Sequence, residues 1–234
     1  MKLNFYKIFG VLLFCTFLPW SCDDVLEEEV FSQLAPQNYL NTEAGLTTVL
    51  TSSYSSTQYN LLRYAARLQT DLFMSGEGTG KGGSWEGSIT GFFTNYTWTT
   101  TRWNFRDHWR DSNDAILNSN IVLENADNPD FSPEYVKLTK GEAHALRGYN
   151  YYQLYDYFGP TIIHTTSMIE EFNAARVSDA EMQAQIDSDL LTAIDLLEVE
   201  SQNGEYGRFN KGAAMAMLCK FYLNTKQWQK CADM

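Results

Sequence analysis

Lys211-Gly-Ala-Ala-Met-Ala-Met-Leu-Cys-Lys-Phe-Tyr-Leu-Asn-Thr-Lys-Gln-Trp-Gln-Lys-Cys-Ala-Asp-Met234 is the stretch whose spacing decides the fold. Met215, Leu218, Cys219 and Tyr222 share one face of a helix, and Trp228 and Cys231, beyond Lys226-Gln227, read as the start of a second. A pair this short cannot bury its apolar face without neighbours, so the stretch implies a stack of helix pairs. Met234 falls part way through the second helix, and the sequence reads as truncated, with a C-terminal half missing.

The same positions resemble the tetratricopeptide helix-turn-helix. In that motif the residues aligned with Cys219 and Cys231 are small, because the two antiparallel helices approach closely there. If the alignment holds, the two sulfurs face each other, either as a disulfide or as small core residues. They are the only cysteines of the globular part, since Cys15 lies in the N-terminal apolar run and Cys22 in the leader, and no C-x₂-C metal spacing is present.

Upstream, helical periodicity dominates. Leu46, Val49, Leu50, Ser53, Tyr54 and Thr57 make one stripe on a helix starting near Thr42. A second helix carries Trp109, Ile116, Asn120 and Leu123 and ends before Pro129. Ser132-Pro133-Glu134 supplies an N-cap, a proline at the first helical position and an acid in the first turn. That third helix runs through Leu138, Ala145, Tyr149 and Tyr152 to Gly159-Pro160. Ser178-Asp179-Ala180-Glu181 is a capping box for a fourth helix, which buries Ile186, Leu190, Ala193, Ile194 and Leu197. Only Ile89 to Thr101, with its threonines and aromatics, reads as a short hairpin. The class is all-α: helix pairs joined by long irregular loops.

The N-terminus gives an address. Lys2 and Lys7 form a positive segment before an apolar run, Ile8 to Leu18, too short to cross a bilayer and suited to a signal peptide. Cleavage after Ser21 would leave Cys22 as an N-terminal acceptor for a diacylglycerol. The lipobox is imperfect, with Leu18 one residue too far from Cys22 and Trp20 where a small residue is usual. The alternative is ordinary secretion with a free cysteine. Asp23, Asp24 and Glu27 to Glu29 form an acidic stalk, and resemble the surface-export signal of Bacteroidetes lipoproteins. The chain thus divides into a signal peptide (1–21), a lipidated acidic leader (22–40) and a helical domain (41–234).

Removing residues 1–21 takes away two lysines and no acid, so the formal charge of −12 becomes −14. Nucleic acid is excluded as a partner, because phosphate binding needs a basic face. Aromatic residues make up 15%, with six Trp and fourteen Tyr, enough to fill a helical core and still offer flat surfaces to a ligand.

Several motifs carry no chemistry. Gly78-x-Gly80-x-x-Gly83 spells a dinucleotide fingerprint, yet no strand precedes it and no apolar helix follows; beside it Lys81 lacks the Ser or Thr of a phosphate-binding loop. Asp107, Asp111 and Asp114, beside His108, lie in a row that could hold calcium, but a solvated face or pairing with Arg106 and Arg110 accounts for them more simply. His144 and His164 have no partners at metal spacing. Glu170 and Glu171 are adjacent and cannot flank a glycosidic bond. Asn95-Tyr96-Thr97 is a glycosylation sequon by letter only. No cofactor or metal is called for.

The interval Ser84 to Arg106 is different. Trp85, Phe92, Phe93, Tyr96, Trp98 and Trp103 alternate with Asn95, Arg102, Asn104 and threonines. A sugar needs a flat aromatic platform for its C–H face and amide or guanidinium groups for its hydroxyls. Trp98 and Trp103 are the candidates for stacking, beside Tyr96, and Asn95 and Arg102 for hydrogen bonding. The alternative is that these aromatics anchor the loop to the helices.

Four blocks in order resemble the SusD/RagB family of outer-membrane nutrient-binding lipoproteins. They are Cys22 to Gly45, with its acidic leader and first helix; Trp109-x₃-Asn113-x₂-Ile116-x₃-Asn120; Gly141-Glu-Ala-His-Ala-Leu-Arg-Gly-Tyr-Asn-Tyr-Tyr closing with Phe158-Gly159-Pro160; and Lys211 to Leu218 with Tyr222 and Trp228 beyond. Asn113 stands where an aromatic is expected. The resemblance implies a mostly helical lid on a TonB-dependent transporter of the SusC kind, held at the outer membrane through its lipid anchor alone. Such a lid captures glycans, oligosaccharides or peptides without acting on them chemically, and the aromatic loop would form part of its glycan site. The other readings are an exported tetratricopeptide-type scaffold that recruits a protein, and a glycoside hydrolase, for which no acid pair is visible.

Overall fold

The computed structural model describes residues 39–62, 71–78, 91–168, 174–199 and 206–234, with side chains through Gln58 in the first of these. The leader with Cys22, Lys81, Trp85 and Glu170-Glu171 lie outside the described residues. Among those described there is no strand, and six helices of six residues or more follow in order: α1 (Glu43–Leu62), α2 (Trp103–Asn125), α3 (Pro133–Phe158), α4 (Asp179–Leu196), α5 (Lys211–Asn224) and α6 (Trp228–Asp233). No described helix is long and apolar enough to cross a membrane.

The ends fall where the local chemistry puts them. Thr42 Oγ1 accepts from the Gly45 amide at 3.1 Å and opens α1. Ser132 caps α3 with Pro133 in its first turn, and the Ser178–Glu181 box is closed in both directions at the start of α4. Asn210 Oδ1 accepts from Ala213 N at 2.8 Å and starts α5.

Side-chain ties fix the directions of packing. Tyr135 reaches the Glu43 carbonyl and Asn150 reaches Thr57, so α1 and α3 run parallel. Lys140 meets Asp127 and Arg147 meets Asn120, so α2 runs antiparallel to α3. Tyr155 bonds Asp179 while Gly141 lies against Leu197, which makes α3 and α4 an antiparallel pair. Their axes come close because Gly141 and Gly148 face α4: a Cβ on Gly148 would sit 3.0 Å from Asp189 Cβ. The pair α5/α6 stacks next, through Tyr152 against Phe221 and through Lys230 to Asp187.

Among the described residues three apolar clusters result, one around Leu46, Leu50, Val122 and Leu146, a second around Tyr151, Leu154, Ile186, Leu190, Leu218 and Phe221, and a small third of Ala145, Ala193, Leu197 and Ala214. Each buried Leu or Phe contributes roughly 1.5–3 kcal/mol. Helix α6 buries no residue fully and receives little of this. Cys219 and Cys231 face each other as thiols with their sulfurs 2.8 Å apart.

Between the apolar clusters lies a charged one. Arg147 donates from Nε and Nη2 to the two Asp189 oxygens at 2.9 and 2.7 Å, and from Nη1 to Asn120 Oδ1 at 2.9 Å. Asp189 also holds His144 Nδ1 and Gln185 Nε2, both at 2.9 Å. Asn120 in turn donates to the carbonyls of His164 and Thr166, which fastens the strap after α3 across the bundle. Burial pushes the Asp189 carboxyl up, but the bonds from His144 and Arg147 and the charge of Arg147 outweigh it and hold it below the usual carboxylate range.

One expectation is corrected. Residues 91–101 form no hairpin: 91–94 make a turn of helix, and 97–99 run without a ladder into a turn at 100–101 closed by the Arg102 amide on the Thr99 carbonyl at 3.2 Å, while Ile89 and Thr90 lie outside the described residues. The threonines and aromatics there are not alternating across a pleat but serve a helix cap and a packed loop.

Candidate functional site

The turn of helix at 91–94 ends in a cap. The Thr97 amide donates to the Phe92 carbonyl at 3.0 Å and the Tyr96 amide to Phe93 at 3.3 Å, the bonding of a Schellman motif. That motif needs a left-handed residue, usually glycine, and here it is Tyr96 with φ at +54°. An L-residue with a Cβ gives up about 1–2 kcal/mol to sit there. What holds it is its own phenol, which donates to the Met74 carbonyl at 2.5 Å. The ring is thus pinned at its far edge, while the residue remains 63% exposed. Strain of this kind collects at binding sites, where a fixed surface matters more than local comfort.

Trp98 stands two residues on. Its indole leans edge-on against Phe105 of α2 at 5.1 Å, and Phe105 in turn meets the fully buried Phe93 at 6.1 Å. These two phenylalanines are the anchors; Trp98, 37% exposed, is what they support. Asn95 is exposed beside Tyr96. Asn95, Tyr96 and Trp98 therefore share one short, rigidly backed loop.

The other two predicted residues are placed differently. Arg102 lays its guanidinium over the Phe92 ring, 3.6 Å from the centroid, which orients it while holding it against the loop. Trp103 is the first residue of α2 and is partly buried. Asn104, 2% exposed, finds no hydrogen-bond partner among the described residues for either amide atom. Beneath it His108 stacks on Tyr157 at 4.6 Å and on Phe158 at 5.7 Å, inside the bundle and not in a ligand cluster. Asp107 and Asp111 pair with Arg106 and Arg110, at 2.8–3.3 Å. Of the glycine-rich run only Gly78 is described.

A cleft of about 410 Å³ lies elsewhere, between α1, α3 and residues 207–209, lined by Tyr54, Thr57, Tyr149, Phe209 and Met217. Its polar groups serve the fold. The Tyr54 hydroxyl donates to the buried Glu142 at 2.7 Å and accepts from the Phe209 amide at 2.8 Å, and Arg208 salt-bridges Glu142 at 2.8 Å. Burial, and then the Glu142 charge, push the Tyr54 phenol well above its ordinary value. Sequence reading missed this latch; the signal was an acid, Glu142, on an otherwise apolar helix face.

The fold has clear relatives among solved structures. A laminarin-binding SusD-like protein superposes with a TM-score of 0.69 at 24% identity over 81% of this chain and 42% of its own. Surface glycan-binding protein A from Bacteroides fluxus does so with a TM-score of 0.69 at 18% identity, over 81% and 41%. At these identities the likeness speaks for the fold alone. The fold of the described residues is the helical one of these two structures.

The family follows from sequence. A SusD-like family model, described as starch-binding and associating with the outer membrane, matches residues 24–223, and the chain belongs to that family. SusD-like protein P25 of Formosa agariphila is 23% identical over 100% of this chain and 46% of its own, and SusD-like protein P2 of the same organism 25% identical over 97% and 45%. The chain spans a little under half the length of these curated relatives.

Proposed function

We propose that this protein is a glycan-binding lipoprotein of the outer membrane that captures oligosaccharides and hands them, unmodified, to a TonB-dependent transporter of the SusC kind. The carrying observation is the loop at 95–98, where a strained, edge-pinned Tyr96 and a backed, open Trp98 present aromatic surface beside the Asn95 amide. Aromatic faces with adjacent amides suit the alternating C–H and hydroxyl faces of a pyranose. Arg102, oriented by Phe92, is the cationic hydrogen-bond donor of the same loop, and Trp103 extends it toward α2. Family membership supports the glycan and the membrane association, and the laminarin-binding relative makes a β-glucan the first ligand to try. Attachment through lipid on Cys22 and exposure at the cell surface rest on the leader sequence.

Binding without chemistry accords with the carboxylates. Among the described residues the buried acids Glu142, Asp189 and Asp111 are paired with Arg208, Arg147 and Arg110. The test is native affinity electrophoresis through gels containing laminarin, starch, xylan or pectin. Retardation by at least one polysaccharide, with no release of reducing sugar, is the expected result. Free migration in every gel would favour a protein-recruiting scaffold, and product release a hydrolase.

A further inference from the structure

We infer that Cys219 and Cys231 are a disulfide site, and that the bond ties α6 to α5. The two residues sit on facing sides of an antiparallel pair, twelve positions apart, both half-buried, with their sulfurs in contact at 2.8 Å and no other cysteine among the described residues. Forming the bond, about 2.05 Å long, takes a side-chain adjustment of less than about 1 Å.

The second observation is the way α6 is joined to α5 and to the bundle. Its N-cap residue, Gln227, makes no side-chain capping bond, it buries no residue fully, and Trp228 is 59% exposed. The turn before it places Lys226 at φ +61°, the left-handed position of a Schellman cap whose amide bonds run from Gln227 to Tyr222 and from Lys226 to Leu223. Noncovalent ties from α6 to the bundle include Lys230, which bonds Asp187 at 2.8 Å and lies 5.0 Å from the Tyr222 ring, Gln227, which donates to Gln183 at 3.5 Å, and the packing of Cys231 and Met234 against the core. A covalent link between the two helices closes a short loop and removes open states that the contacts alone would allow.

The chemistry is thiol–disulfide exchange with a disulfide-bearing oxidant protein outside the cytoplasm. One thiol, deprotonated, attacks the oxidant disulfide and releases one of its sulfurs as a thiol. The second cysteine then displaces the remaining oxidant sulfur from the mixed disulfide. The pair loses two electrons and two protons, one S–S bond forms, and the oxidant leaves as a dithiol.

The site is tested on protein taken from the outer membrane of its native host, with free thiols blocked before lysis. Trypsin without reductant should give the Gly212–Lys220 peptide joined to the peptide beginning at Cys231, and reduction should separate them. Recovery of both peptides carrying the blocking group would overturn the assignment. Amide hydrogen exchange over 228–233 reads the consequence: reduction should speed it by about tenfold or more. A Cys219→Ser/Cys231→Ser protein should exchange at the faster rate with or without reductant. Equal rates in oxidised and reduced wild type would show that the bond does not hold α6. Neither readout involves a glycan, so the inference stands or falls apart from the binding function.

Discussion

Replacing Arg147 by Leu is the sharpest test of how the bundle is held. The guanidinium is 8% exposed and its partner carboxylate 1%, so the substitution leaves a buried charge short of its bidentate partner. Breaking a buried pair from one side costs about 3–5 kcal/mol. Asp189 keeps His144 and Gln185, each at 2.9 Å, which draws the figure toward the lower end, while Asn120 Oδ1 loses its bond from Arg147. The expected loss is about 3–4 kcal/mol at neutral pH, read as a fall in the urea midpoint with an unchanged slope.

Acid provides an independent arm. Asp189 is held below its unfolded-state value, so its contribution is complete above that value, roughly 4, and is lost as pH falls through the folded one. In the Leu variant burial is no longer outweighed and the carboxyl protonates more readily, so the deficit against wild type should shrink between neutral pH and pH 4. Arg147→Leu/Asp189→Leu, with no charge left to bury, should be more stable than Arg147→Leu alone. A single-variant loss under about 1 kcal/mol, or a deficit that grows with acid, would refute the account of the cluster.

Other outcomes follow from single contacts. Gly148→Ala puts a methyl 3.0 Å from both Asp189 Cβ and Leu190 Cγ, and should cost about 1–3 kcal/mol in denaturant unfolding. Tyr54→Phe leaves the Phe209 amide without its hydroxyl acceptor, 2.8 Å away, and removes a donor to Glu142; a loss of about 1–3 kcal/mol is expected, with faster hydrogen exchange at residues 207–210. Lys226→Gly relieves the left-handed position after α5 and should raise the thermal midpoint by a few degrees; a fall would show that the turn is not strained.

The helices were legible because their signals are local. Ser132-Pro133, the Ser178–Glu181 box and the stripes of Leu and Ile act within one or two turns, and the structure places α1 to α6 accordingly. The pairing of the last two was legible through Cys219 and Cys231, small residues at a close approach. What escaped was decided by distant partners. Arg147, Asp189 and Glu142 read as ordinary charges, and only the packing of three helices shows that they are buried and mutually satisfied. An acid or arginine set within an apolar helix face is the trace this leaves in sequence. The hairpin expectation over Ile89 to Thr101 failed for a related reason: Tyr96 fills a cap position that glycine normally announces. The aromatic richness of the candidate site was visible, but not its division of labour, in which Phe93 and Phe105 anchor, Phe92 holds Arg102, and Tyr96 and Trp98 stay open.

Calorimetric titration of a Tyr96→Ala/Trp98→Ala variant, with oligosaccharides of whichever polysaccharide retards the wild-type protein, tests the central claim most directly. Base-line stacking energies of about 0.5–1.5 kcal/mol per aromatic contact predict that affinity falls about tenfold or more while the thermal midpoint stays within a few degrees. Unchanged affinity would contradict the claim that this loop is where the ligand binds.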